Sequence, residues 1–192
     1  GWKHLYLYGP SGKLVRQVTQ GAWPVDAVQG VDEARGLVLF TASVDTPIER
    51  RLYEVSYKAS AQPRPLTKAG GWWTVKVAKA GGAFTGTYED PATPPQTGLY
   101  RADGQLVRWI EENRLAEGHP YWPYRARLRT PQFGTIKASD GEDLHWMMRT
   151  PPGFDPAKRY PVVVKLYGGP GRALVAKTWG DPADQLYLEA GF

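Results

Sequence analysis

The sequence predicts a mostly β fold, namely a partial β-propeller of about two to three blades followed by the first strands and helix of an α/β domain. Three observations predict this fold: an aromatic and turn-rich composition, a 47-residue repeat, and a change of pattern after Ile110. The 192 residues include 8 Trp, 11 Tyr, 22 Gly and 17 Pro. Such a composition is typical of many short strands joined by tight turns rather than of long helices.

The repeat is carried by a Leu-Tyr pair. Leu5, Leu52 and Leu99 are each followed by tyrosine and lie 47 residues apart. Residues 5–18 and 99–110 also share a strand, a short glycine turn and a second strand, which predicts two equivalent hairpins. A period of about 40–50 residues with some four short strands and one aromatic marker is typical of propeller blades.

A second shared element restarts the chain with tryptophan at residues 21–25 and 71–75. One four-stranded sheet cannot bury both of its faces alone, so stacked blades would place the repeated Trp and Tyr side chains in the gaps between them. The alternative is a β-sandwich with duplicated hairpins. Sandwiches rarely keep a fixed period, and we therefore favour the propeller.

The repeat ends after Ile110, where the charged and polar residues 111–114 are followed by a segment bounded by Pro120 and Pro123, which indicates a loop or linker. Residues 133–138 and 144–148 then flank an Asp-Gly turn, a pattern that predicts an antiparallel hairpin. The chain therefore leaves the repeat through a linker and enters a different structural unit.

The last part of the chain reads as the start of an α/β domain. Residues 161–167 are a continuous apolar run, typical of a strand buried on both faces. Residues 183–190, followed by Gly191, predict a helix with a glycine stop. Strand, glycine loop and helix is how such a domain begins, so we divide the chain into propeller blades at 1–125 and an α/β unit at 126–192.

Tyr167 is the best candidate for a chemical role. It lies where the apolar run meets Gly168, Gly169 and Gly171, and ligands of open α/β sheets bind beyond the carboxyl ends of the strands. A tyrosine phenol is protonated at neutral pH and can donate a hydrogen bond to a developing oxyanion. The alternative is a core tyrosine before a tight turn.

Other chemistries find no support in the sequence. Phosphate-loop, dinucleotide-turn and GxSxG patterns do not occur, cysteine is absent, and the three histidines lack metal-ligand spacing, so we expect no cofactor and no metal. The net charge of +5 is scattered rather than clustered, which argues against nucleic-acid binding. No apolar run approaches the roughly 18 residues of a membrane span, so we expect no membrane segment.

Residues 151–170 follow the pattern PPxFDxxKxYPVVVxxYGGP. This pattern resembles the domain junction of the dipeptidyl peptidase IV branch of the prolyl oligopeptidase family of serine peptidases, and residues 1–5 and 19–25 resemble the late propeller blades of that family. The resemblance implies a propeller that caps an α/β-hydrolase domain, and release of N-terminal X-Pro or X-Ala dipeptides by acyl transfer. It also implies that Tyr167 is the oxyanion hydrogen-bond donor.

The sequence departs from that family in lacking counterparts of its catalytic Ser, Asp and His and of its substrate anchor. We therefore expect a piece of a larger enzyme, inactive alone, whose parent acts on peptides. A periplasmic or secreted location is implied, a cytoplasmic one stays open, and so does assembly into a homo-oligomer. The alternatives are an acylaminoacyl peptidase or oligopeptidase of the same family, or a non-catalytic propeller module whose aromatic faces bind a partner.

Overall fold

The computed structural model describes residues 1–79, 81–167 and 173–192, which form antiparallel sheets and one short α-helix. The strands and helix are β1 (Tyr6–Tyr8), β2 (Leu14–Gln17), β3 (Val25–Asp32), β4 (Leu37–Ala42), β5 (Arg51–Ser56), β6 (Arg64–Pro65), β7 (Trp72–Val77), β8 (Ala83–Asp90), β9 (Thr93–Arg101), β10 (Leu106–Glu111), β11 (Gln132–Lys137), β12 (Asp143–Met148) and α1 (Asp184–Glu189). A single 3-10 turn, Trp122–Tyr124, lies in the linker among the described residues.

Two four-stranded sheets follow one another along the chain, β3-β4-β5-β6 and β7-β8-β9-β10, each a meander of sequential antiparallel strands. They are preceded by the two-stranded β1-β2 sheet. Tyr53 and Tyr100 both lie in the third strand of their sheets, and Tyr6 lies in β1. The 47-residue repeat is therefore confirmed as one sheet per period, and β1-β2 corresponds to the last two strands of such a sheet.

The inner strands β4 and β5 of the first four-stranded sheet are buried on both faces. Successive side chains of a strand point to opposite sides, so neighbouring residues enter different clusters. Leu39 and Leu52 belong to a cluster shared with Trp73 of the second sheet. Their chain neighbours Phe40 and Tyr53 belong to a cluster on the opposite face, which includes residues near β1-β2. Tyr53 and its counterpart Tyr100 thus pack in clusters between neighbouring sheets, as a propeller requires.

The hairpin and helix predictions for the second half of the chain are confirmed. β11 pairs with β12 in unbroken register from Gln132 opposite Met148 to Lys137 opposite Asp143. The helix α1 ends before Gly191, whose φ of 87° is the left-handed conformation that a glycine stop supplies.

The predicted strand at residues 161–167 is wrong. The structure shows no strand there, and Val162, Val164 and Leu166 are exposed by 76%, 73% and 80%. A strand needs a neighbour for its backbone hydrogen bonds and cover for its faces, and no described strand pairs with this run. The predicted glycine turn at 168–171 lies outside the described residues.

Because of two buried tyrosines, we expect the free energy of unfolding to fall at alkaline pH. The hydroxyls of Tyr53 and Tyr88 donate to Asp45 at 2.9 Å and to Asp90 at 2.7 Å. Burial, helped by these carboxylates, raises the pKa of both phenols well above the usual value of about 10. Above pH 10 the unfolded chain therefore loses protons that the folded chain keeps, and stability falls by up to about 1.4 kcal/mol per pH unit for each tyrosine.

We expect Tyr53→Phe to lessen this alkaline slope by about that amount, as measured by chemical denaturation between pH 9 and 11. Tyr124→Phe is the matched control, because Tyr124 is 56% exposed. A slope for Tyr53→Phe equal to that of the unaltered protein would contradict the role of the buried phenol.

Candidate functional site

Tyr167 lies at the end of the exposed run, directly before the residues outside the described ranges. Its side chain is 52% exposed and belongs to neither buried cluster. The structure therefore gives the ring access to solvent, although the run that carries it is not the strand that the sequence predicted. The role of the hydroxyl stays a prediction.

Asp184, in the first turn of α1, joins three segments around the Tyr167 run. Its Oδ2 accepts a hydrogen bond from Nη1 of Arg149 at 3.3 Å, and its Oδ1 accepts one from Nζ of Lys165. Arg149 directly follows β12, and Lys165 stands two residues before Tyr167. This carboxylate therefore ties the β11-β12 hairpin and the Tyr167 run to α1.

The surroundings of this cluster shift the pKa values of its two cations, Arg149 and Lys165. The side chains of Arg149 and Asp184 are 12% and 21% exposed. Burial lowers the pKa of Arg149, while its partner Asp184 opposes that shift. The hydrogen bond to Asp184 raises the pKa of Lys165. The carboxylate of Asp184 thus lies between two cations, Arg149 and Lys165, and pairs with both.

A second ion pair attaches the chain beyond Tyr167 to the first four-stranded sheet. Nζ of Lys177 donates to Oε1 of Glu49 at 2.6 Å, and the backbone N–H of Lys177 donates to the carbonyl of Ile48 at 2.8 Å. Glu49 is buried, and its Oε2 accepts the backbone N–H of Gly70 at 2.7 Å. Ile48 and Glu49 lie in the loop between β4 and β5.

The same segment also contacts the second four-stranded sheet. The backbone N–H of Trp179 donates to Oε2 of Glu89 at 3.0 Å, and Glu89 lies in β8 opposite Trp72. The ring of Trp179 meets the edge of Tyr121 in the linker, with 6.1 Å between their centroids. Residues 177–179 therefore bridge the two sheets.

The linker also contacts α1, because Nε2 of Gln185 donates to the carbonyl of Arg127 at 2.8 Å. A pocket of about 40 Å³ lies beside this contact, lined among others by Tyr121, Arg149 and Gln185. That volume holds a few water molecules at most and cannot hold a dipeptide. The pocket is therefore a packing feature rather than a substrate site.

Two of the three histidines, His4 and His119, hold local structure. The ring of His4 bonds to Oγ1 of Thr19 and to the carbonyl of Gly21, at 3.2 and 3.0 Å. The ring of His119 bonds to Oδ1 of Asn113 at 3.0 Å. Within the described ranges no three acidic, His or Cys side chains come together as a metal site.

Sequence reasoning missed the residues that attach the Tyr167 run to the sheets. Glu49 and Lys177 are separated by 128 positions. No spacing or periodicity connects two residues so far apart. The only local signal is that each is a charged residue with one apolar neighbour in the chain, which is too common to distinguish them.

The comparisons with known proteins point to one family. The model of the dipeptidyl peptidase IV N-terminal region matches residues 1–95. The chain is 33% identical over 183 residues to a probable dipeptidyl peptidase 4 of Aspergillus flavus, covering 93% of this chain and 23% of that protein. It is 35% identical over 196 residues to a probable dipeptidyl-aminopeptidase B of Tuber melanosporum, covering 100% of this chain and 21% of that protein.

Among solved structures, the crystal structure of Porphyromonas gingivalis dipeptidyl peptidase 4 superposes with a TM-score of 0.85 and 27% sequence identity. The match covers 98% of this chain and 26% of that one. The chain thus spans about a quarter of the length of the proteins it matches. Within its described residues, no helix has the length and apolar character needed to cross a membrane.

Proposed function

This chain belongs to the dipeptidyl peptidase IV family, and we propose that it is part of a serine exopeptidase that releases N-terminal dipeptides with Pro or Ala in second place. Residues 1–125 supply propeller blades, and residues 126–192 begin the peptidase domain. The names of the relatives and the structural likeness support this proposal. The observation that carries it is the exposed phenol of Tyr167 in a run whose flanks are both tied by ion pairs.

The proposed chemistry is acyl transfer. A serine attacks the carbonyl carbon of the scissile peptide bond while a general base takes its hydroxyl proton, and the electron pair of the carbonyl moves onto its oxygen to give a tetrahedral oxyanion. The hydroxyl of Tyr167 donates a hydrogen bond to that oxygen, and the oxyanion then collapses and expels the amine, which takes the proton from the base. A water molecule hydrolyses the resulting acyl-enzyme ester through a second oxyanion, which releases the dipeptide and restores the serine. Tyr167 keeps its own proton throughout.

This chain contributes neither the nucleophile nor the base of that mechanism. None of its five serines lies in a GxSxG pattern, so by this proposal the nucleophile belongs to another part of the enzyme. We expect the 192 residues alone to be inactive. Their contribution is to hold one donor of the oxyanion site at a fixed place relative to the propeller.

Substrate preference tests the proposal. We expect the full-length protein to release the chromophore from Gly-Pro and Ala-Ala nitroanilides with a free amino terminus. N-acetylation of the same substrates removes the charged amino terminus that an exopeptidase grips, so turnover should fall at least about 100-fold, the size of a lost charge-assisted contact. Faster cleavage of the acetylated substrates would instead favour an acylaminoacyl peptidase, and cleavage of neither would favour a binding module.

A further inference from the structure

The pair formed by Lys177 and Glu49 has the features of a positioning contact. The side chain of Glu49 is 9% exposed and that of Lys177 is 30% exposed. Taking such charges out of water costs much of what their attraction returns, so a buried pair is weak evidence of a gain in stability. Its geometry is specific, because each oxygen of Glu49 has its own donor, Lys177 on one side and Gly70 on the other.

Backbone hydrogen bonds of Lys177 and Trp179 orient the segment that carries this ion pair. Lys177 donates hydrogen bonds from its side chain to Glu49 and from its main chain to Ile48, so one residue contacts two successive residues of the β4-β5 loop. Two residues later, the backbone of Trp179 donates to Glu89 of the other sheet. Three hydrogen bonds over residues 177–179 fix both the place and the direction of the segment across the two sheets.

The other flank of Tyr167 is tied as well. Lys165 precedes Tyr167 by two residues and binds Asp184, which also binds Arg149. Lys177 follows Tyr167 by ten residues. Tyr167 therefore lies, along the chain, between two positions that ion pairs tie to other segments. A displacement of about 1 Å at a reacting group can cost on the order of 100-fold in rate.

We propose that Glu49 and Lys177 are positioning residues for catalysis: their ion pair seats residues 177–179 on the propeller sheets and so helps to place the Tyr167 hydroxyl at the oxyanion. This inference rests on the proposed function. It assigns a role to Glu49 in the β4-β5 loop and to Lys177. Both act through Tyr167 and not through contact with substrate.

The first experiment replaces Lys177 in the full-length enzyme. Lys177→Met keeps an unbranched side chain of similar length and removes the charge, so we expect kcat on Gly-Pro nitroanilide to fall about 10-fold while KM stays within about twofold. Lys177→Arg should restore at least half of the lost kcat. The matched control is Lys137→Met, because Lys137 forms a 2.9 Å pair with Asp143 that is open to solvent, and its kcat should be unchanged.

The second experiment separates positioning from general structural damage. If Lys177 acts through Tyr167, the substitution Lys177→Met should lower kcat by less than about twofold in an enzyme that already carries Tyr167→Phe, because coupled residues are not additive. Hydrogen exchange of the amides at residues 177–179 should be faster in Lys177→Met and in Glu49→Gln than in the unaltered enzyme.

Four results would overturn the inference. A Lys177→Met enzyme with normal kcat, while Tyr167→Phe is impaired, refutes the positioning role and leaves the proposed function standing. An equal loss of kcat in both backgrounds shows that Lys177 only supports the fold. Full activity of Tyr167→Phe removes this phenol from the mechanism and refutes the positioning role. Absence of dipeptide release by the unaltered enzyme refutes the proposed function and the positioning role with it.

Discussion

Tyr167→Phe in the full-length enzyme is expected to lower kcat for an X-Pro substrate on the order of 10²–10³-fold, the usual effect of removing one oxyanion donor. The donor acts on charge that exists only in the transition state, so KM should change little and kcat/KM should fall in parallel with kcat. The ring of Tyr167 is 52% exposed, and loss of its hydroxyl leaves no buried cavity. The thermal midpoint should therefore stay within about 2 °C.

The measurement is steady-state turnover of Gly-Pro nitroanilide together with a thermal unfolding curve for each variant. Tyr124→Phe is the control, since it removes the hydroxyl of another exposed tyrosine, in the linker. Unchanged turnover by Tyr167→Phe would remove this phenol from the mechanism. A large fall in the thermal midpoint would make the loss of activity structural.

Trp73→Ala is expected to give the largest loss of stability. Trp73 is 3% exposed, packs against Tyr88 and Tyr100 at centroid distances of 5.1 and 5.5 Å, and donates its indole N–H to the carbonyl of Lys68 at 3.0 Å. Truncating a buried tryptophan costs about 3–5 kcal/mol. For a domain of this size that cost corresponds to a fall of roughly 10 °C in the thermal midpoint.

Trp109→Ala provides the comparison, because Trp109 lies in the outer strand β10 and is 37% exposed. Its midpoint should move by less than about 3 °C. Equal shifts for the two variants, measured by thermal unfolding, would show that the cluster between the two sheets does not hold them together.

The blade-like part of the fold could be predicted because its signals are local and repeated. Leu52 and Leu99 mark the same strand in two sheets, and their neighbours Tyr53 and Tyr100 fill the spaces between sheets. The Asp-Gly turn between β9 and β10 was also readable, and Gly104 has the left-handed φ of 92° that the turn needs. The alternation of apolar and polar side chains in a strand, and the residue types of a tight turn, can each be recognised within a few consecutive residues.

The run at 161–167 shows the limit of such signals. A continuous apolar run predicts a buried strand only if other strands cover it, and hydropathy carries no information about whether a neighbour is present. In the structure Val164 and Leu166 are exposed. The helix at α1 was predictable because its periodicity and its glycine stop are local.

The candidate site was predictable only in part. The sequence selects Tyr167 as a candidate from its place between an apolar run and a predicted glycine turn, and its role stays a prediction. The residues that attach its neighbouring segments could not be predicted, because Glu49, Glu89 and Asp184 are charged residues of the kind that usually lies on the surface. Their roles come from contacts between segments that are far apart in sequence. A buried carboxylate that accepts two hydrogen bonds looks the same in sequence as one on the surface.

The central claim is that the phenol of Tyr167 stabilises the oxyanion, and a structure of the full-length enzyme with a boronic-acid dipeptide bound to its nucleophile tests it most directly. The boronate oxygens occupy the positions of the tetrahedral intermediate. We expect the hydroxyl oxygen of Tyr167 to lie about 2.5–3.0 Å from one of the boronate oxygens. A separation beyond about 4 Å, or a different donor in that place, would contradict it.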